Sequence, residues 1–267
     1  MTDVKRVFFG FEVAAPWPLE YPSGRILSES ARHLTVAFLG NITDDAIVNA
    51  LASIPLPSFS VGLSGVFDHC LFLPPRHPHV TAWRMNLGED ADRFVDYVTV
   101  LQNDLILKGL DLKQHAEFLP HVTICRSPFN PQQWKKAFFV LPCILKNLHL
   151  YESLGNMQYK SIWTHELFSP FEEIEHTADI GFTIYGESLK QLHKNATTAL
   201  SFRFPELLNY QNNNHNFASL DDIIKDLNNS VTKADADIGC PLKAVSYHGS
   251  ISSDQNAVLS WEMIIDV

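Results

Sequence analysis

The sequence predicts an α+β protein built from two units. Segments with strand-like and helix-like patterning alternate along the first 170 residues, and a four-residue pattern occurs there twice. Acidic charge is concentrated later: residues 1–170 carry 14 Lys+Arg and 16 Asp+Glu, whereas residues 171–267 carry 6 and 14. Such a shift indicates two units with different partners, and a Ser-Pro pair at the change breaks regular structure. We therefore expect domains over residues 1–169 and 170–267.

The composition excludes several classes of protein. With 46% hydrophobic and 19% charged residues, the chain is globular. A net charge of -10 argues against a protein that coats long nucleic acids, although it allows a pocket for one phosphate. The beginning of the chain lacks signal-peptide features, no apolar run is long enough to span a bilayer, and the four cysteines form no CxxC pair. We expect a soluble, reduced, cytoplasmic protein with no membrane partner.

In the first unit, β-branched and aromatic runs predict strands, and apolar residues at helical spacing predict helices. The predicted strands cover residues 4–13, 34–39, 121–125, 148–152 and 159–167. The predicted helices cover residues 44–53, capped by Thr43, and residues 90–110. Three prolines and a glycine in residues 14–31, the proline-rich segment, predict little helix there.

In the second unit the same criteria predict three strands and two helices. The strands cover residues 181–185, 242–247 and 258–265, and the helices cover residues 188–202 and 219–227. Ser219 is the expected N-cap of the second helix, with acidic residues in its first turn.

The repeated pattern reads His, apolar, Thr, apolar, at residues 33–36 and 121–124. Because strand residues two apart share a face, each segment directs one imidazole and one hydroxyl to the same side. A single such pattern is common, and a strand histidine is usually packed without function. Here both copies share the full pattern within apolar strands, which favours a cleft built from the two strands.

Two imidazoles and two hydroxyls suit metal-free phosphodiester cleavage. One histidine can accept a proton while the other donates one. Thr35, Thr123 and the nearby Arg126 can hydrogen-bond phosphoryl oxygens as negative charge builds.

Several segments of this unit together resemble the 2H phosphoesterase superfamily, in its branch of 2′-5′ RNA ligase-like proteins or RNA 2′,3′-cyclic phosphodiesterases. They cover residues 6–13, 32–40, 118–126 and 148–153. The resemblance implies a two-lobed fold, no cofactor, and hydrolysis of RNA 2′,3′-cyclic phosphate ends to 2′-phosphates. It implies His33 and His121 as the acid–base pair, in roles that the sequence leaves open. It implies Thr35, Thr123 and Arg126 as phosphate contacts. The family usually has a full helix where this chain has the proline-rich segment.

The second unit opens with Glu-His-Thr-Ala-Asp-Ile-Gly at residues 175–181. Its Asp179 can ligate a hard cation, although a turn capped by Thr177 or Asp179 explains the same residues. The chain's last strand ends in Asp266, and a carboxylate on Val267 beside it completes an oxygen cluster suited to Ca²⁺ or Mg²⁺.

These two segments, with residues 188–189, 195–200 and 243–248, resemble archease. The resemblance implies a small α+β domain that assists the RNA-splicing (3′-phosphate) ligase in tRNA or other RNA processing. It implies a metal site of Asp179, Asp266 and Val267, with calcium as the favoured ion, and places His176 in a family motif together with Lys243. Residues 204–236 replace a longer family region.

The leading interpretation is a fusion of a cyclic phosphodiesterase with an archease-like domain, since both families act on cyclic phosphate ends. One alternative is a non-catalytic protein that grips such ends for a ligase. Another is a phosphodiesterase for a different small cyclic or 2′-5′ nucleotide.

Overall fold

The computed structural model describes residues 4–112, 118–176, 179–211 and 216–267. It divides the chain into two compact units. The first comprises Met1–Ser58, Gly65–Val140 and Leu145–Glu166, and the second comprises Phe59–Ser64, Leu141–Ile144 and Leu167–Val267. Both units contain helices and strands, which confirms the predicted α+β class.

Up to residue 165, the described ranges contain eight strands and three α-helices. The strands are β1 (Val4–Ala14), β2 (Arg25–Ile26), β3 (His33–Thr43), β4 (Ser64–Leu73), β5 (Val80–Asn86), β6 (His121–Arg126), β7 (Leu141–Gly155) and β8 (Gln158–His165). The helices are α1 (Asp44–Leu51), α2 (Ala91–Leu107) and α3 (Pro131–Ala137). The sheet has the order β1-β3-β6-β5-β4-β7-β8, with β2 on β6 and a further pairing of β1 with β7.

The predicted helices form for the expected reasons. The Thr43 hydroxyl accepts a hydrogen bond from the Ala46 amide at 3.3 Å and so caps α1. The apolar stripe of α2 is buried, including Phe94 and Leu101. Sequence patterning missed β4, β5 and α3. Helix α3 has only seven residues, too few to show a helical period, and it begins at the cap Asn130.

The proline-rich segment contains little helix, as predicted. Its regular structure is the two-residue β2 and a single 3₁₀ turn, Glu29–Ala31. Aromatic packing holds it instead: the Trp17 ring lies 5.4 Å from that of Phe67 and 5.8 Å from that of Trp83.

In the described part of the second unit, two α-helices accompany a four-stranded sheet. The strands are β9 (Phe171–Ile174), β10 (Ile180–Gly186), β11 (Ala244–Ser253) and β12 (Leu259–Asp266), in the order β11-β12-β10-β9. The helices are α4 (Leu189–Arg203) and α5 (Leu220–Ile238). Ser188 caps α4, and Ser219 caps α5 in a reciprocal capping box with Asp222, as the sequence predicts for Ser219. Strand β9 was not predicted, because its four residues, two of them Glu, carry no strand signal.

The second unit includes a segment from early in the sequence, residues 59–64. Its backbone pairs with that of Phe168, the Gly62 amide donating to the Phe168 carbonyl at 2.8 Å. The Ser60 amide donates to a Glu187 carboxylate oxygen at 2.5 Å, and the Ser64 hydroxyl donates to the Asn195 side chain at 2.7 Å. This unit is therefore discontinuous in sequence. Within the described ranges, no helix is both long and apolar enough to cross a membrane.

Candidate active site

The two His-x-Thr segments meet where β3 pairs with β6. The pairing joins Leu34 to Val122, and both of these side chains are fully buried. Their sequence neighbours therefore point to the opposite face of the sheet. Leu34–Val122 is the recorded pair of this register, and continuing it by one residue in each direction matches His33 with Thr123 and Thr35 with His121.

Both imidazoles are held in the same way. Nδ1 of His33 lies 2.8 Å from the Ala31 carbonyl oxygen, and Nδ1 of His121 lies 2.7 Å from the Leu119 carbonyl oxygen. A carbonyl only accepts, so each Nδ1 carries the proton and donates it. In the neutral rings Nε2 then keeps its lone pair, and each histidine can exchange a proton through that atom.

Aromatic rings surround His33. The ring centroids of Phe8, Tyr159 and Tyr151 lie 4.6, 4.7 and 5.4 Å from that of His33. This burial lowers the pKa of His33 to about 4, and the nearby charges of Arg126 and His121 act in the same direction. His33 is therefore neutral at pH 7 in the ligand-free protein.

A cleft of about 390 Å³ opens beside His33. Its lining includes the Thr35 and Thr123 side chains, and the exposed ring of Phe38. His121 lies outside the lining, although its charge acts on His33. None of the described lining residues is an Asp or Glu.

Three guanidinium groups line the cleft. The sequence predicted Arg126 and missed Arg6 and Arg25. Arg25 pairs with Arg126 in the β2–β6 register, and its Nε donates to the Ser127 carbonyl at 2.8 Å. A two-residue strand leaves no pattern in a sequence, so only the fold shows that Arg25 adjoins Arg126. The cleft thus carries a local positive charge in an acidic protein, which suits an anionic ligand.

A buried arginine supports the backbone that holds His33. Arg32 is 4% exposed, and its guanidinium lies 4.4 Å from the Trp17 ring and 5.1 Å from the Tyr21 ring. One Nη atom donates to the Leu27 carbonyl at 3.0 Å. Arg32 thereby ties down the chain between β2 and β3, which contains the Ala31 carbonyl that orients His33.

In the second unit, the two predicted acidic ligands flank the paired ends of β10 and β12. Asp179 directly precedes β10, Asp266 is the last residue of β12, and the register pairs Ile180 with Ile265. Nδ1 of His176 lies 3.5 Å from an Asp179 carboxylate oxygen. Thr177 lies outside the described residues. Among the residues that the structure describes, no three or more His, Cys, Asp or Glu side chains are grouped to hold a metal. Asp179 and Asp266 alone give too few oxygen ligands for a hard cation, so such a site needs a further ligand.

Comparison with known proteins gives one sequence relative and several solved structures. No protein-family model matches the chain. The chain is 30% identical over 116 residues to an RNA 2′,3′-cyclic phosphodiesterase of Thermotoga maritima, covering 41% of this chain and 57% of the relative. The alignment therefore spans little more than half the relative's length.

Two solved structures are among those that resemble the chain. E. coli LigT complexed with 3′-AMP is 17% identical with a TM-score of 0.43, covering 62% of this chain and 99% of that structure. TT0787 of Thermus thermophilus is 15% identical with a TM-score of 0.43, covering 61% and 98%.

Proposed function

We propose that the first unit is a cyclic phosphodiesterase of the 2H type, which hydrolyses RNA 2′,3′-cyclic phosphate ends to 2′-phosphates. One observation carries the proposal: two paired strands carry imidazoles that are each oriented by a backbone carbonyl, and His33 lines a cleft with three guanidinium groups. The Thermotoga maritima relative, named for this activity, adds support.

The site's own groups supply the chemistry. A water molecule attacks phosphorus, the bond from phosphorus to O3′ breaks, and the 2′-phosphate remains. One histidine takes the water proton at Nε2, and the other gives a proton to the leaving O3′. His33, neutral in the free protein, suits the first role, and His121 then takes the second. The Thr35 and Thr123 hydroxyls and the Arg126 guanidinium bind the phosphoryl oxygens as charge develops. This mechanism needs no cofactor.

The test uses an oligoribonucleotide that ends in a 2′,3′-cyclic phosphate, with excess chelator, and identifies the product. We expect a 2′-phosphate, with turnover reduced at least about 100-fold in His33→Ala and in His121→Ala. His77→Ala, at an exposed loop residue, is the matched control and keeps the wild-type rate. Binding without turnover at high protein concentration would instead support a non-catalytic RNA-end protein.

We further propose that the second unit is archease-like and assists an RNA-splicing ligase. In this proposal Asp179, Asp266 and Val267 hold Ca²⁺, or Mg²⁺, and the bound ion would supply positive charge at that edge of the sheet. The β10–β12 register and the acidity of residues 171–267 support it. Calorimetry should show calcium binding that Asp179→Asn and Asp266→Asn abolish and that Glu262→Gln, at an exposed β12 residue, retains. Equal binding by all variants would refute the site.

We propose that the protein works in the reducing cytoplasm, an environment in which its four cysteines stay as thiols.

A further inference from the structure

The cleft carries more positive charge than one cyclic phosphate needs. A 2′,3′-cyclic phosphate has a single negative charge, whereas three guanidiniums and no described carboxylate line the cleft. Arg25 and Arg126 are register neighbours, and Arg126 shares β6 with Thr123. These two arginines belong with the group that binds the terminal phosphate. Arg6 comes from a different strand, β1, so it is available to bind a second anionic group.

Arg6 is combined with an exposed aromatic ring. Its guanidinium carbon lies 5.0 Å from the centroid of the Phe38 ring. Phe38 is 44% exposed, which leaves a large apolar surface in contact with water at the cleft. Phe8 is the cross-strand neighbour of Phe38, with ring centroids 6.4 Å apart and planes inclined by 21°. The Phe38 ring is therefore supported on one side, and its exposed part can stack on a planar ligand.

A guanidinium beside a supported aromatic ring matches one nucleotide of a single strand. Arginine binds the phosphodiester, and the ring stacks on the base without reading its identity. A mononucleotide has one phosphate, so it cannot give a phosphate to Arg6 and to the groups around His33 at the same time. An oligonucleotide end has a second phosphodiester next to its terminal nucleotide.

We propose that Arg6 and Phe38 form a subsite for the nucleotide that precedes the cyclic end. The protein is then selective for oligonucleotide ends over nucleoside 2′,3′-cyclic monophosphates. This inference rests on the proposed phosphodiesterase activity and specifies its substrate.

The experiment measures kcat/KM for two substrates, a nucleoside 2′,3′-cyclic monophosphate and a dinucleotide with the same cyclic end. We expect the dinucleotide to be preferred, since it alone reaches the subsite. Arg6→Ala should lower the dinucleotide-to-mononucleotide ratio of kcat/KM about tenfold, the size of a charge-assisted hydrogen bond. Phe38→Leu should lower the same ratio by removing a stacking surface. Arg76→Ala, at an exposed residue outside the cleft lining, makes the same charge change and keeps the wild-type ratio.

A salt series gives a second measurement. Each phosphate contact to a single strand adds a slope of about 0.7 to the fall of log affinity with log salt. Arg6→Ala should remove one such contact for the dinucleotide. A ratio that stays unchanged in Arg6→Ala, or a wild type without preference, would overturn the subsite while leaving the phosphodiesterase proposal intact. Wild type without turnover of either substrate would overturn the phosphodiesterase proposal itself.

Discussion

Strands β3 and β6 carry the same four-residue pattern in different surroundings. Each histidine donates its Nδ1 proton to the carbonyl two residues earlier, so the repeated sequence produces the same local geometry twice. His33 lies among three aromatic rings from other strands, whereas His121 is the cross-strand neighbour of Arg84, whose guanidinium pairs with Asp68. The motif therefore sets the orientation of each ring, and the neighbouring elements lower the pKa of His33.

The largest effect expected from this difference is on the pH dependence of catalysis. The pH profile of kcat/KM reports the ionisation of groups in the free enzyme. With a pKa of about 4, His33 acting as base keeps kcat/KM high down to about pH 4. His33 acting as acid would instead lose activity about tenfold for each pH unit above 4, a hundredfold by pH 6. With the cyclic-ended oligonucleotide, we expect kcat/KM to stay high down to about pH 4. A loss of activity above pH 4 would show that His33 is the acid and His121 the base.

The same pKa predicts how stability depends on pH. His33 binds a proton less readily in the folded state, where its pKa is about 4, than in the unfolded chain, where it is about 6.5. Its contribution to stability is therefore complete above pH 6.5 and is lost as the pH falls towards 4. The loss approaches about 1.4 kcal/mol per pH unit for one proton. Urea unfolding of wild type and His33→Gln across this range should show a steeper fall for wild type. Parallel curves would contradict the low pKa.

The residues before the two histidines also differ. Substituting the residue before His33 therefore tests whether that residue helps to orient the ring. Arg32 precedes His33 and is buried against two aromatic rings, whereas Pro120 precedes His121. Removing the guanidinium in Arg32→Met frees the Leu27 carbonyl and loosens the chain that orients His33. We expect kcat to fall about tenfold with little change in KM, because misorientation of a catalytic group affects the chemical step.

Arg32→Lys, which keeps the charge, should recover part of that rate. A purely structural role for Arg32 would lower the melting temperature and leave kcat and the His33 titration unchanged. Such a result would mean that Ala31 orients His33 without help from Arg32.

The sequence predicts those features that depend on residues close together in the chain, and it does not predict those that depend on tertiary contacts. The His-x-Thr strands, the Thr43 and Ser219 caps and helix α2 depend on residues close in the chain, and local patterning predicted them. Arg6 and Arg25 join the cleft only through strand pairing across the sheet, so no local pattern marks them. The low pKa of His33 likewise depends on rings contributed by β1, β7 and β8. The inclusion of residues 59–64 in the second unit is also a tertiary property, which a boundary drawn from composition does not contain.

The smallest predicted effect concerns the two threonines. Continuing the antiparallel register from Leu34 and Val122 matches Thr123 with His33 and Thr35 with His121, so we expect each hydroxyl to adjoin the histidine of the other motif. Thr35→Val and Thr123→Val keep the side-chain volume and remove one hydrogen bond to the phosphoryl group. We expect each to lower kcat/KM about three- to tenfold, as for one neutral hydrogen bond. By NMR titration, Thr123→Val should shift the pKa of His33 more than Thr35→Val does. The reverse pattern would show that each threonine acts on the histidine of its own strand, and that the cross-strand register does not extend beyond Leu34 and Val122.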